Sequence, residues 1–429
     1  MRKNVLIYPG NTFTAIQVFD CLKYSLRYRP IIGNHGTAHA EYVTKDFYSD
    51  LPLINDPDFI QKINDFIETY EISFIIPLHD TVCNEIMLIS DRIKATIICS
   101  PYETTSIIRH KRKTYEMLRQ YDFTPTIYNE LSEITEEEFP VFIKDDIGQG
   151  GKKSFKCDSK KEAEERIGCN PGIDYVISEY LPGTEITIDC FTDRYGELLF
   201  YQPRERVSIL DGMSGRAEIV PTTDEISYIC NEINKVFRFR GYWYIQCRKD
   251  KNEKYKLMEI SSRFAGNFCI TANLDVNLPL LALTDAEDID VKVTPNKYEI
   301  ASDRGYEVKY KFDLNFDTVY FDFDDTLVFN RERYNPVAFA FLLQCKNQRK
   351  HIILITRHAY DIHITLKNLC IEERLFDCII EVSEEKSKAD YIKGDKSILI
   401  DNSFKDRMEA KERCGIATFD VCNLSALLQ

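Results

Sequence analysis

The sequence predicts a multidomain protein of mixed α/β and α+β class, and three observations carry that prediction. Strand-like apolar runs alternate with helical patterns over the first hundred residues. From about residue 102 to 292 the pattern changes to aromatic and β-branched strands joined by hairpin-like turns. From residue 316 the strand–helix alternation returns. A chain of 429 residues is too long for one core, so two to four units are expected.

Hydrophobic content of 44% with 29% charged residues is ordinary for a soluble globular protein. A net charge of −14 argues against nucleic acid as the main partner, because phosphate backbones need clustered Lys and Arg. An anionic substrate must then meet local positive groups. The 14 cysteines are scattered, with no CxxC pair and no Cys/His cluster, which reads as reduced thiols in a cytoplasmic protein. The opening "MRKNVLIYPG" reads as a buried first strand, its apolar run being too short for a signal peptide. No stretch approaches 18 apolar residues, so no membrane span is expected.

In the first unit (1–101) the strand candidates are "NVLIY" (4–8), "FIIPL" (74–78) and "ATIICS" (95–100). Between them "PDFIQKINDFIETY" (57–70) spaces its apolar residues as a helix does. Such alternation implies a parallel, helix-covered sheet. The turn "YPGNTF" lacks the three-glycine dinucleotide fingerprint, so a nicotinamide cofactor is not supported. In the second unit (102–292) "DRYG" and "DKNEK" are turn chemistry between strands, which implies antiparallel sheet. A polar linker is placed at 293–315 and a third unit at 316–429. His35, His39 and His79 show no metal spacing and read as loop or core residues.

In the third unit, "TVYFDFDDTLVFN" (318–330) sets Asp322 and Asp324 at the end of a buried strand, where α/β sheets place their ligands. Two carboxylates at i and i+2 can divide labour, one attacking phosphorus and one handling the leaving-group proton. "HIILITRH" ends a strand in Thr356, able to hydrogen-bond a phosphoryl oxygen. "EEKSKADYI" supplies Lys386 and Lys388, and "SILIDNSFKD" ends in Asp401-Asn402, where a hard cation could bind through oxygen. Four strand ends with nucleophile, hydroxyl, ammonium and metal ligand suit phosphoryl transfer.

This ordered set resembles the haloacid dehalogenase-like (HAD) phosphatase superfamily over roughly 316–429. The resemblance implies a Rossmann-like domain with Asp322 as nucleophile, forming an aspartyl-phosphate, and Asp324 as acid/base. It implies Thr356 as phosphate binder and Lys388, or else Lys386, as the charge-balancing lysine. Mg²⁺ is implied between Asp322, the Asp324 carbonyl and Asp401-Asn402; the family usually has an acid where this chain has Asn402. Only 34 residues separate Asp322 from Thr356, too few for a large cap.

In the second unit "GQGGKKS" fails as a P-loop, since position 146 is Asp where that motif needs Gly. A glycine loop after "FPVFIK" can still fold over phosphates through backbone N–H groups. Upstream, "RHKRKTYEMLRQ" opens a helix with Lys111; downstream, "ISEYLPGTEITID" places Glu179 and Glu185 around a turn. "GYWYIQ" and "KLMEISSRF" bring Gln246, Glu259, Ser261 and Arg263 onto two strands joined by "DKNEK". Paired strands would put Gln246 and Glu259 on one face, an oxygen-rich set that suits Mg²⁺ holding triphosphate.

Together these resemble the ATP-grasp superfamily, nearest in pattern to carbamoyl-phosphate-synthase-like proteins, over about 1–292. The resemblance implies Lys111 and Lys144 on the ATP phosphates, with a closing loop at 148–151 that includes Gly150 and Gly151. It implies adenine at 179–181, through Glu179 and Leu181, and ribose on Glu185. Gln246, Glu259 and Ser261 are implied to face Mg²⁺, with Ser261 where the family usually has Asn, and Arg263 to steady an acyl phosphate. Residues 201–218 are expected on the acceptor side, with Arg204, Arg206 and Arg216 available for an anion.

The combined expectation is a fusion. One part is an ATP-dependent ligase joining a small-molecule carboxylate to an amine or similar nucleophile. The other is a Mg²⁺-dependent phosphatase acting on a phosphate ester. The alternative is a phosphatase beneath a nucleotide-sensing, non-ligating ATP-grasp cover. The short linker implies functional coupling of the two sites.

Overall fold

The structure, a computed structural model, describes residues 2–148, 151, 153–210, 213–305, 310 and 312–428. Two compact units divide the chain, 1–306 and 307–429.

The larger unit opens with strands β1 (Lys3–Tyr8), β2 (Tyr28–Gly33), β3 (Phe47–Tyr48), β4 (Ile72–Pro77) and β5 (Thr96–Ile97). They form one parallel sheet in the order β3-β2-β1-β4-β5. The apolar runs are continuous because helices cover both faces, so Leu6 packs to one side and Val5 and Ile7 to the other. Helix Phe13–Leu22 starts where the Thr12 hydroxyl accepts from the Ala15 N–H, and helix Asp80–Leu88 follows β4.

A second sheet is antiparallel, with order β6-β9-β7-β8. It joins β6 (Ile127–Tyr128), β7 (Val141–Asp145), β8 (Ser154–Cys157) and β9 (Tyr175–Glu179). Helix Lys111–Leu118 precedes it.

The third sheet positions most of the site. Its strands are β10 (Glu185–Thr192), β11 (Leu198–Arg206), β14 (Arg216–Ile219), β15 (Gly241–Lys249), β16 (Tyr255–Ser261) and β17 (Ala301–Asp303). A small hairpin, β12 (Ile209–Leu210) with β13 (Met213–Ser214), sits between β11 and β14. The order is β16-β15-β10-β11-β14-β17, antiparallel throughout. One face is apolar: Ile186, Ile188, Trp243 and Ile245 pack on helix Asp224–Val236 through Ile226, Ile229 and Ile233. Period-2 alternation sends the intervening polar residues to the other face.

β17 departs from the sequence reading, which placed a linker at 293–315. The segment pairs with β14 at Arg216↔Asp303, so part of it belongs to the sheet. The partner strand imposes this edge strand, and "ASD" carries no apolar alternation to announce it.

The smaller unit holds β18 (Thr318–Phe321), β21 (His351–Thr356), β22 (Cys378–Glu381), β23 (Ser397–Ile400) and β24 (Ala417–Phe419). They form a parallel sheet ordered β22-β21-β18-β23-β24. Helices Pro336–Asn347, Ile362–Asn368 and Phe404–Cys414 connect them. A hairpin of β19 (Val328–Phe329) and β20 (Arg333–Tyr334) follows Asp322–Leu327. β18 lies at the centre, so Asp322 leaves the sheet where the strand order reverses direction. Among the described residues no helix is long and apolar enough to cross a membrane, and all 14 cysteines are free.

Candidate functional sites

In the larger unit, β15 and β16 align Gln246 with Glu259 and Tyr244 with Ser261, so the predicted metal-facing residues share one sheet face. Tyr244 donates its hydroxyl to Glu259 Oε1 at 3.2 Å. Ser261 donates to Asp80 Oδ1 at 2.5 Å, and Arg263 Nε donates to Asp80 Oδ2 at 2.9 Å. Asp80 is thus a further site residue. Burial raises its carboxyl pKa, but Arg263 and Ser261 outweigh burial and hold it below the usual range. The sequence signal was present: "FIIPLHD" sets Asp80 just beyond an apolar strand, as at Asp322. An open cleft is lined by Asp80, Arg109, Lys111, Gly148, Glu259 and Ser261.

Lys144 lies buried near the end of β7. Its Nζ donates to the Tyr115 hydroxyl at 2.5 Å and to the Met258 carbonyl at 3.2 Å, and Tyr115 in turn donates to Met258 at 2.6 Å. Burial, followed by the nearby Lys111 ammonium, pushes the Lys144 pKa down to about 7. Lys111 Nζ donates to the carbonyls of Asp145, Asp146 and Gly148, clamping the base of the predicted phosphate loop. Two neighbouring ammonium groups, one buried without a carboxylate in hydrogen-bond contact, fit a triphosphate. Gly151 has the left-handed φ of +69°. Gly150 lies outside the described residues.

The side chains expected near a base and a ribose have partners within the chain. The Glu179 side chain accepts from the Thr126 N–H at 2.9 Å, and Leu181, two residues on, is buried. Glu185 binds Arg206 rather than standing open for a ribose. Among the acceptor-side arginines, Arg216 is exposed and paired with Asp303 at 2.5 Å. Arg204 is fully buried with Nε on Asp189 at 2.7 Å. Strand alternation explains both: β11 aims Arg204 inward, while β14 aims Arg216 outward.

The Lys144 value has a direct consequence. A phosphate oxyanion favours the charged ammonium, so binding ATP above pH 7 must draw a proton from solvent. ATP affinity is expected to fall as pH rises from 7 to 9, with binding heats that depend on the buffer's ionisation enthalpy. A pH-independent affinity contradicts this placement of Lys144.

In the smaller unit, Lys388 is buried and its Nζ donates to Asp322 Oδ1 at 2.6 Å and to Asp401 Oδ2 at 2.7 Å. Lys386 is exposed, 5.5 Å from the Tyr391 ring centroid, so of the two lysines it is Lys388 that meets these carboxylates. Thr326 donates to Asp322 Oδ2 at 3.1 Å and accepts from the Asn402 N–H at 3.1 Å. Burial first, and then Asp401, raise the Asp322 pKa to about 7 against the pull of Lys388. Thr356 Oγ1 is buried with no hydrogen-bond partner among the described residues. That orphaned hydroxyl fits a phosphoryl oxygen.

Two buried carboxylates share one ammonium here, leaving a charge that a divalent cation would balance. No three His, Cys, Asp or Glu side chains converge as a metal cluster among the described residues. A cation would therefore draw on Asp322 and Asp401 together with backbone and amide oxygens, such as the Asp324 carbonyl and Asn402.

His358 is a residue that the sequence did not single out. It is almost fully buried, with Nδ1 2.8 Å from Asp324 Oδ2 and Nε2 2.9 Å from Thr365 Oγ1. Thr365 donates its own hydroxyl proton to the Asp361 carbonyl at 3.0 Å. Thr365 is then free to accept at its oxygen, so Nε2 is the ring nitrogen that donates to it. The contact makes His358 a candidate positioning residue for the Asp324 carboxylate. His358→Ala is expected to lower hydrolysis of an aryl phosphate about 10- to 100-fold with KM little changed. His358→Asn, whose amide can replace the Nδ1 contact, should recover part of the rate. Equal rates in wild type and His358→Ala would refute the role.

The family model described as "ATP-grasp in the biosynthetic pathway with Ter operon" matches residues 173–310. Staphylococcus aureus N5-carboxyaminoimidazole synthetase complexed with ADP is similar at TM-score 0.55 and 14% identity, covering 69% of this chain and 79% of that one. Bacillus licheniformis L-amino acid ligase is similar at TM-score 0.51 and 17% identity, covering 66% and 74%. Rhizobium etli pyruvate carboxylase is similar at TM-score 0.55 and 12% identity over 68% of this chain, which spans only 29% of that protein's length. No curated protein matches in sequence. These likenesses are of fold, and the class they define is the ATP-grasp fold.

Proposed function

We propose that the larger unit is an ATP-dependent ligase that activates a carboxylate as an acyl phosphate. The carboxylate oxygen attacks the γ-phosphorus and ADP leaves; an amine or related nucleophile then attacks the acyl carbon and phosphate leaves. The observation that carries this reading is the shared face of Gln246, Glu259 and Ser261, with Arg263 at its end and the Lys144–Lys111 pair nearby. Lys144 and Lys111 hold phosphate oxygens, and Arg263, fixed by Asp80, faces the developing charge. Mg²⁺ held at Glu259 and Gln246 would supply charge neutralisation of the triphosphate. The fold match to a synthetase solved with ADP and to an amino acid ligase supports this class.

The smaller unit is read as a HAD-type phosphatase. Asp322 attacks phosphorus and the ester oxygen leaves with the proton held at Asp324. Water then cleaves the aspartyl-phosphate as Asp324 takes its proton. Lys388 holds Asp322 in line, and Thr356 receives a phosphoryl oxygen. Bound Mg²⁺ would offset the charge of the phosphoryl group. The two units thus act on a small-molecule carboxylate, its nucleophile and a phosphate ester, in the cytoplasm. A screen of carboxylate and amine pairs for ADP release tests the ligase. ATP binding without turnover on any pair would favour the alternative of a nucleotide-sensing cover.

A further inference from the structure

The polar sheet face continues past the metal-facing pair. Glu259, Gln246, Thr187 and Arg204 lie opposite one another on β16, β15, β10 and β11, one row across four strands. Neighbouring strands lie about 4.8 Å apart, so Arg204 starts about 14 Å from Glu259 along that row. Arg206, two residues further along β11, points to the same face and binds Glu185. Arg206, Ala217 and Ser302 lie opposite one another on β11, β14 and β17, and Arg304 stands two residues beyond Ser302; burial first, and then Arg204 and Arg206, lower its pKa.

Two further observations mark this place as built for a ligand. Arg204 is fully buried, yet its Nη1 has no hydrogen-bond partner among the described residues. Buried N–H groups are normally satisfied, so an acceptor belongs there. Gly266 precedes Asn267, and a β-carbon at Gly266 would come within 2.8 Å of Arg304 Nη2. The glycine therefore keeps room for that guanidinium, which also lies 5.9 Å from the Phe13 ring centroid.

We propose that Arg204, Arg206 and Arg304 form a second anion subsite, which holds a carboxylate or phosphate group of the substrate at the end of the row opposite Glu259. Guanidinium forks suit planar or tetrahedral oxyanions through paired N–H donors. The substrate then has two separated ends: the carboxyl group activated near Glu259 and an anionic group on the arginines. Naming the ligand as substrate rests on the ligase reading; the anion site itself rests on the arginines.

The test is calorimetric titration of glutarate, and separately of inorganic phosphate, into the full chain. Mg²⁺ and a non-hydrolysable ATP analogue are added first, so that Lys111 and Lys144 are engaged. A site for at least one of the two anions is expected, weakened at least ~10-fold in Arg304→Ala and in Gly266→Ala. Arg216→Ala, which removes the surface arginine on Asp303, should bind as wild type. Glutarate alone assigns a carboxylate and phosphate alone a phosphoryl group. Binding that survives both Arg304→Ala and Gly266→Ala overturns the subsite, as does failure of both anions to bind wild type. If Arg304→Ala does not fold, Gly266→Ala decides. If the analogue does not bind but Arg304-dependent anion binding remains, the ligase reading falls and the subsite stands.

Discussion

Asp322→Asn is expected to abolish hydrolysis of a generic aryl phosphate by the full chain, a loss of at least ~10³-fold or about 4 kcal/mol of barrier. An amide cannot form the aspartyl-phosphate. The substitution also removes a charge from the group that Lys388 shares between Asp322 and Asp401. The fold should persist, because Asn is nearly isosteric and Thr326 can still reach an amide oxygen. Rapid mixing with an acyl-phosphate trap measures both turnover and the intermediate. Wild-type rates in Asp322→Asn would remove the phosphatase assignment. Asn402→Asp offers a graded companion: an added carboxylate beside Asp401 should tighten Mg²⁺ dependence.

Glu259→Gln is expected to lower Mg²⁺-dependent ADP release at least ~100-fold, about 2.7 kcal/mol of barrier, with the melting temperature nearly unchanged. Glu259 sits at the sheet edge and accepts from Tyr244 at 3.2 Å, a contact that a Gln oxygen can keep. The loss is therefore one of charge rather than of packing. Asp80→Asn should have a smaller effect, since it loosens Arg263 and Ser261 without removing either. Steady-state ADP formation with varied Mg²⁺ separates the two, because only Glu259→Gln should shift the metal dependence strongly.

Strand ends were the most legible part of both sites. Asp322, Thr356 and Asp401 each close a buried parallel strand, and such strands are written as unbroken apolar runs with the polar residue as punctuation. Gln246 and Glu259 were legible for a similar reason, since one tight turn sets their register. What stayed hidden depends on contacts that local pattern does not encode. Asp80 reaches Ser261 across 181 residues, and Tyr115 reaches Lys144 across 29. His358 stands 34 residues from Asp324, and nothing in "RHAYD" reveals that its ring faces inward. The choice between Lys386 and Lys388 needed burial, because two lysines at i and i+2 are equivalent until the backbone chooses one. Alternation along "FYQPRER" set Arg204 and Arg206 on one face, but only the sheet shows that this face continues the row of Glu259.

The central claim is that the larger unit makes an acyl phosphate. Its most direct test follows oxygen-18 from the carboxyl group of an accepted substrate in the presence of ATP and Mg²⁺. Transfer of one labelled oxygen into the released phosphate, together with ADP and not AMP, is the predicted result. Unlabelled phosphate, or AMP with pyrophosphate, would contradict it.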